Sequence, residues 1–203
     1  MKRTPVSHVA TAGLSGVRSM LMAAAVLFMA WITAEIIALL GIGEYMGGLM
    51  EGTRLISLLP VILFFLACFI SFSMGSTFGT LGLILPIAAE IAVAVDLSLL
   101  IPAFGAVLAG AIFGDHTSPL SDTTILSAIG SGIQLIDHTT TQLPYALVCA
   151  GASMAGFIVL GFTRSTTVGL LTALATLAVA VFVLRTRFAS ETSHESEVGG
   201  TTG

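Results

Sequence analysis

Six apolar segments, at 19–40, 55–72, 80–95, 97–113, 142–162 and 166–184, run along the chain with polar breaks between them. A helix of about 20 such residues is as long as the hydrocarbon layer of a bilayer is thick. Inside lipid the backbone has no partner but itself, so helices closed on their own hydrogen bonds are the structures open to this chain. Hydrophobic residues make up 56% of the 203 and charged residues 9%, a balance that excludes a soluble globular domain. The predicted fold is an all-α integral membrane protein.

The third and fourth segments are short for a straight crossing, and the second and third are parted only by the break at 71–80, Ser-Phe-Ser-Met-Gly-Ser-Thr-Phe-Gly-Thr. Gly75 and Gly79 loosen the backbone there, while Ser73, Ser76, Thr77 and Thr80 supply oxygens. Lys2, Arg3 and Arg18 precede the first segment and Arg185 and Arg187 follow the last, a pattern that puts both termini in the cytoplasm and requires an even number of crossings. Six spans satisfy this. So do four spans and a re-entrant hairpin formed by the second and third segments with its tip at 73–79, the arrangement favoured by the short third segment. The expected division is a cytoplasmic N-terminal stretch at 1–18, a transmembrane domain at 19–185, and a tail at 186–203 rich in Ser, Thr, Glu and Gly. That tail cannot bury enough surface to order itself. The first apolar run is too long for a signal peptide and reads as a retained span, giving a multi-pass protein of the plasma membrane. Cys68 and Cys149 lie in apolar segments without pairing or metal-type spacing and read as small buried hydrophobes.

The run Gly-Asp-His-Thr-Ser-Pro-Leu-Ser-Asp-Thr-Thr at 114–124 follows directly on an apolar segment. A charged side chain at bilayer depth costs roughly 2.5–3.5 kcal/mol on insertion scales, so such a run reads as an ion or substrate site. Ser118 before Pro119 suggests an N-cap and a helix over 119–130, with the preceding segment aiming its last carbonyls, at 110–113, into the same break. Those carbonyls, the carboxylates of Asp115 and Asp122, and the hydroxyls of Ser118, Ser121 and Thr123 form a donor set suited to a sodium ion. A carboxylate that holds either a proton or a metal ion couples the two by competition, which is the simplest chemistry of an antiporter.

Structural roles stand beside these. Asp122 equally fits a first-turn acid that stabilises its helix N-terminus. The spacing of Ser73, Ser76, Thr77 and Thr80 equally fits a polar packing stripe. His116 fits a proton carrier, a ligand or a partner of Asp115, and a single histidine makes no zinc site. Glu35 and Glu90 interrupt apolar segments as proton relays or as polar contacts to a neighbouring helix. Asp137 and His138 precede Pro144 and Tyr145, an interfacial helix start, and serve as caps or as an ion entrance. Gly110 with Gly114, Ala152 with Gly156, and Gly151 with Ala155 have the spacing of close helix packing.

The run at 114–124, followed by Ile-Asp-His at 136–138 and Thr-Gln-Leu-Pro-Tyr-Ala-Leu at 141–147, resembles the NhaC family of sodium/proton antiporters. Met-Gly-Ser-Thr-Phe-Gly-Thr at 74–80 is similar to that family's Gly-Thr-Ser-Trp-Gly-Thr region, with Ser76-Thr77 and Phe78 in place of Thr-Ser and Trp. The resemblance covers 15 to about 185 and looks like the C-terminal half of a member of the ion transporter superfamily, one of two inverted repeats whose broken helices meet at mid-membrane. It implies a transport site at Asp115, Ser118, Ser121, Asp122 and Thr123, faced by Ser76 and Thr77 from the hairpin tip. It also implies a second copy or a separately encoded N-terminal half to close the pocket. Exchange of organic acids such as malate and lactate, which other members carry out, is the alternative, and a non-transporting membrane subunit or remnant is another. The expected partners besides lipid are protein, with no nucleic acid and no cofactor, sodium and protons being cargo. The chain reads as a secondary transporter, not an enzyme. An intramembrane aspartyl protease is disfavoured because Ile112 stands where a Gly-x-Gly-Asp motif needs glycine, and neither Gly-x-Ser-x-Gly nor His-Glu-x-x-His occurs.

Overall fold

A computed structural model of the chain describes residues 6–50 and 52–198. Lys2 and Arg3, which carry part of the topology signal, and positions 199–203 of the tail lie outside the described residues. Among the described residues eight α-helices run in order: α1 (Val6–Leu39), α2 (Ile42–Met50), α3 (Leu55–Met74), α4 (Thr77–Val95), α5 (Leu100–Thr117), α6 (Asp122–Ser131), α7 (Leu135–Thr163) and α8 (Thr166–Val198). A short 3-10 turn, Leu97–Leu99, leads into α5. Among the described residues there is no strand, and α3, α4, the Leu97–Thr117 unit, α7 and Thr166–Arg187 are each long and apolar enough to cross a membrane. The protein is a multi-pass, all-α membrane protein.

Helices in lipid gain nothing from hiding apolar surface from one another, so they associate by fitting backbones closely together. The α3–α5 pair shows this best. A Cβ at Gly110 would run into the Phe64 carbonyl, and one at Gly114 would stand 2.5 Å from the Cys68 carbonyl. The Gly-xxx-Gly spacing therefore serves packing, as its sequence implies. Leu59, Leu63 and Ala67 of α3 meet Ile84, Ala88 and Ile91 of α4 and Val107 of α5 in the core. Gly156 on α7 lies against Gly169 and Ala173 on α8, whereas Gly151 has no neighbour where its Cβ would point.

Helix boundaries differ from the sequence expectation in instructive ways. The arms α3 and α4 reach 20 and 19 residues because the helix continues into the polar break from both sides, leaving only Gly75 and Ser76 between them. The third segment is thus no shorter than a crossing requires. At the other end of the chain α8 continues as helical backbone to Val198, into the stretch expected to lack order. Propagating a helix already nucleated by a membrane span needs no burial of the added residues. The last turns of α1, Trp31–Leu39, meet α2 at 58°, with Gly41 at φ +63° between them, a break that the sequence reading had passed over.

On one end of the bundle the link before α5 is fastened to the α7–α8 link. Asp96 accepts from the Ser98 N–H at 2.9 Å and pairs with Arg164 at 3.0 Å. The Ser98 hydroxyl and N–H hold the Asp96 carboxyl below the usual carboxylate range, with a smaller push from Arg164. Arg164 itself caps α7 at φ +56°, a left-handed conformation that a β-carbon makes costly.

Candidate functional site

The two polar breaks meet. Gly75 ends α3 in the left-handed conformation, φ +63°, and its missing side chain admits the second break: a Cβ there would lie 2.7 Å from the Leu120 carbonyl carbon and 2.8 Å from the Ser121 nitrogen. Only glycine tolerates both the dihedral and the approach. One turn back along α3, the Ser71 hydroxyl donates to the Ala111 carbonyl of α5 at 2.6 Å. Ser71 belongs to the first break as written in the sequence, yet nothing in its local pattern marks it as the hydroxyl that crosses to another helix.

The second break begins later than expected. Helix α5 does not stop at Phe113 but carries Asp115, His116 and Thr117 as its last turn, and the Thr117 hydroxyl returns to the Phe113 carbonyl at 2.8 Å. The carbonyls at 110–113 are consequently inside a helix rather than free to face an ion. Pro119 explains the stop, since the residue before a proline is driven out of the helical region, and Ser118 is extended at φ −81°, ψ 126°. Residues 118–121 then form a tight turn with Pro119 in its second position, closed by Ser121 N–H donating to the Ser118 carbonyl at 3.3 Å. The N-cap is therefore Ser121, whose hydroxyl accepts from Thr124 N–H at 3.4 Å, and the helix α6 starts at Asp122 rather than at Pro119.

This arrangement builds a closed ring of oxygens. Asp115 is 3% exposed, and Ser118 and Ser121 are fully buried. The Ser121 hydroxyl donates to Asp115 Oδ1 at 2.9 Å and the Thr123 hydroxyl to Asp115 Oδ2 at 2.7 Å. Ser121 Oγ and Thr123 Oγ1 are themselves 2.8 Å apart. Thr124, which the sequence reading quoted but did not single out, donates from its hydroxyl to the Asp115 backbone carbonyl at 3.2 Å. Since Ser121 caps α6 and Thr123 is in its first turn, the carboxylate lies at the positive end of that helix and needs no lysine or arginine.

Asp122 does not join the ring. It is exposed, and its Oδ1 accepts from the Thr123 N–H at 2.8 Å, the geometry of a first-turn acid. Ser76 caps α4, its hydroxyl accepting from Gly79 N–H at 3.2 Å, and Thr77 is the first residue of that helix. Gly75 brings this helix start against the 118–121 turn, but among the described residues no hydrogen bond links Ser76 or Thr77 to Asp115. Ser73 and Thr80 return their hydroxyls to carbonyls of their own helices, as packing residues do. His116 is exposed on α5, beside a polar cavity shared with Thr123 and His138. Glu35 is exposed on α1, and Glu90 is half-buried where Gly43 of α2 lies against its carbonyl. Asp137 is in the first turn of α7, which begins at Leu135 after Gln134, so Pro144 is inside that helix instead of at its start.

Apolar helices thus enclose a carboxylate ringed by hydroxyls, at a junction of two broken segments. The profile of the Na+/H+ antiporter family matches residues 4–162, and the chain belongs to that family. It is similar to an uncharacterized protein of Haemophilus influenzae, with 45% identity over 85% of this chain and 33% of that protein. It is also similar to the arginine/ornithine antiporter ArcD of Halobacterium salinarum, with 35% identity over 54% of this chain and 23% of the relative. With the malate-2H(+)/Na(+)-lactate antiporter of Bacillus subtilis the identity is 34%, over 45% of this chain and 19% of the relative. The chain thus spans a third or less of the length of these relatives. No solved structure matches it.

Proposed function

We propose that this chain carries the ion site of a sodium/proton antiporter, with Asp115 as the group that exchanges a proton for a sodium ion. The observation that carries this is a count of protons. The ring has three short oxygen–oxygen contacts, Asp115 Oδ1 to Ser121, Ser121 to Thr123, and Thr123 to Asp115 Oδ2, but only two hydroxyl protons to fill them. When Asp115 is ionised one contact is left without a proton. A carboxyl proton completes the ring, and so does a small hard cation drawn in among the same oxygens, which then repel one another less. Proton and cation satisfy the same deficit, and binding one excludes the other. Ser121, Thr123 and Ser118 are the neutral oxygens around the ion, with Ser76 and Thr77 approaching from the α3–α4 junction.

Exposed Asp122 supports a further element of the proposal. A carboxylate facing lipid at bilayer depth is costly, so a second protein surface covers this face, from another copy of the chain or a separately encoded N-terminal half. Asp122 then stands where the two surfaces meet, at the mouth of the ion site. The protein works in the plasma membrane with both termini in the cytoplasm, and alternating access moves one surface against the other.

The test is sodium-dependent dissipation of a pH gradient in proteoliposomes. The wild-type chain is expected to dissipate it when its covering surface is present and Asp115→Asn to lose the effect. Equal rates for the two would remove Asp115 from the exchange.

A further inference from the structure

Helix α3 contributes no oxygen to the ring around Asp115, yet its last turn touches both halves of the site. Ser71 and Gly75 stand four positions apart, on one face of α3. The Ser71 hydroxyl donates to the Ala111 carbonyl of α5 at 2.6 Å, one turn before Asp115. Gly75 seats the 118–121 turn that leads to Ser121. The Gly75 N–H donates to the Ser71 carbonyl at 2.8 Å, so both contacts belong to one hydrogen-bonded turn.

The bond from Ser71 to Ala111 is not needed to satisfy either partner. In an α-helix the Ala111 carbonyl already accepts from the N–H four positions on, that of Asp115. Ser73, on the same helix as Ser71, returns its hydroxyl to the Phe69 carbonyl at 2.8 Å, and Thr80 and Thr117 do likewise on their own helices. Ser71 instead crosses, fully buried, where Gly114 lets α5 approach: a Cβ at Gly114 would lie 2.7 Å from the Ser71 Cβ. From α6, the Thr124 hydroxyl donates to the Asp115 carbonyl at 3.2 Å. Hydroxyls from α3 and α6 thus grip carbonyls at either end of the turn that carries the carboxylate.

Such a grip fixes rotation. A side-chain tip stands about 5 Å from its helix axis, so turning α5 by about ten degrees would carry the Asp115 carboxylate through about 1 Å. That movement exceeds the difference in size between lithium and sodium ions, and it would change the gaps to Ser121 and Thr123.

We infer that Ser71, with Thr124 as its counterpart, is a positioning residue for the ion ring: the pair fixes the spacing of Asp115 from Ser121 and Thr123, and with it the size of cation the ring accepts. The inference rests on the exchange proposed above and adds to it what sets the ion selectivity. A pinned ring discriminates among lithium, sodium and potassium; an unpinned one adjusts to each and discriminates less.

The experiment is proton release from the purified chain in lipid nanodiscs as lithium, sodium or potassium chloride is added, each titration giving a midpoint. The three wild-type midpoints should differ. In Ser71→Ala the protons released per chain should be unchanged, while the ratio of highest to lowest midpoint falls by about threefold to tenfold, the effect of losing one neutral hydrogen bond. Alanine leaves the Ala111 carbonyl its helix partner and favours the helix, so this variant should fold. Thr124→Val frees the other end of the grip and should lower the ratio in the same way, which keeps the test decisive even if Ser71→Ala does not fold. Ser73→Ala removes a hydroxyl that serves only its own helix and should leave the ratio at the wild-type value. Equal midpoints for the three cations in wild type would overturn the inference. So would an unchanged ratio in the Ser71 and Thr124 variants, whatever their unfolding temperatures. Release with an unchanged ratio removes the positioning role alone, whereas absence of release from wild type with every cation removes the exchange itself and this inference with it.

Discussion

The Thr123 hydroxyl reaches back eight positions to donate to Asp115 Oδ2 at 2.7 Å, joining the last turn of α5 to the first turn of α6. The bond exists because Pro119 forces a turn between the two helices, so that α6 returns its N-terminus onto the carboxylate. An acid and two hydroxyls from one short run thereby face one another across a buried corner.

Replacing Thr123 with Val keeps the shape and removes one donor from the ring. A hydrogen bond to a charged group contributes about 1.5–3 kcal/mol, so sodium affinity should fall by between roughly tenfold and a hundredfold. Folding should change little, because Thr123 is exposed at its outer edge. Equilibrium sodium titration together with thermal unfolding in detergent checks both halves.

Ser121→Ala should cost more in stability, since Ser121 is at once a ring member and the N-cap of α6. Loss of a cap costs about 1 kcal/mol, and the ring loses two of its contacts. A lowered unfolding temperature with weakened sodium binding is expected, against weakened binding alone for Thr123→Val.

Asp122→Asn and Asp115→Asn should part company. Asparagine at 122 keeps an oxygen for the Thr123 N–H, so proton release on adding sodium should persist, with slower exchange if Asp122 gathers cations at the mouth. Asparagine at 115 should abolish both. Loss of proton release in the 122 variant would put both acids in one ion-binding unit.

Gly75→Ala should be severely destabilising. The substitution imposes a β-carbon at φ +63° and drives it into the Leu120–Ser121 backbone. The conformational cost is about 1–2 kcal/mol and overpacking adds about 1–3 kcal/mol. Hydrogen exchange at 118–124 should rise even where the bundle stays folded, as the two breaks are pushed apart.

Asp96, held by the Ser98 hydroxyl and N–H and more weakly by Arg164, sets a pH dependence with a definite sign. The folded state holds the Asp96 carboxyl below its ordinary value of 3.8. Its stabilising contribution is therefore complete above that value and is lost as pH falls through the lower folded one. Both groups are partly exposed, so the contribution is small. Comparing unfolding of wild type and Asp96→Asn, the difference should be constant through neutral and mildly acidic pH and shrink only in strong acid. Arg164→Gly loses the pair but relieves the left-handed backbone, and should come out close to neutral.

Much of this was legible in the residues. Apolar run length predicts the membrane helices, and the cost of a carboxylate in lipid singles out Asp115, which the structure buries among hydroxyls. Helix boundaries at the breaks were not legible, because Ser118-Pro119 and Ser121-Asp122 are both good helix starts by local chemistry. What decides between them is tertiary: Ser121 as the cap lets Thr123 and Ser121 face Asp115, a contact that no local signal encodes. The role of Ser71, which crosses to Ala111, was hidden for the same reason. So was the meeting of Gly75 with Leu120, though the glycine itself marked where the backbone had to turn. The first apolar segment ends at 40, but nothing in the residues after Gly41 marks Ile42–Met50 as a further helix set at an angle to it.

The central claim is that one buried carboxylate holds either a proton or sodium, and the most direct measurement is pH in weakly buffered nanodisc suspension as sodium is added to the purified chain. The expected result is a saturable release of protons by the wild type, approaching one per chain, and none by Asp115→Asn. Release of equal size from both, or sodium binding by the wild type without release, would contradict the account.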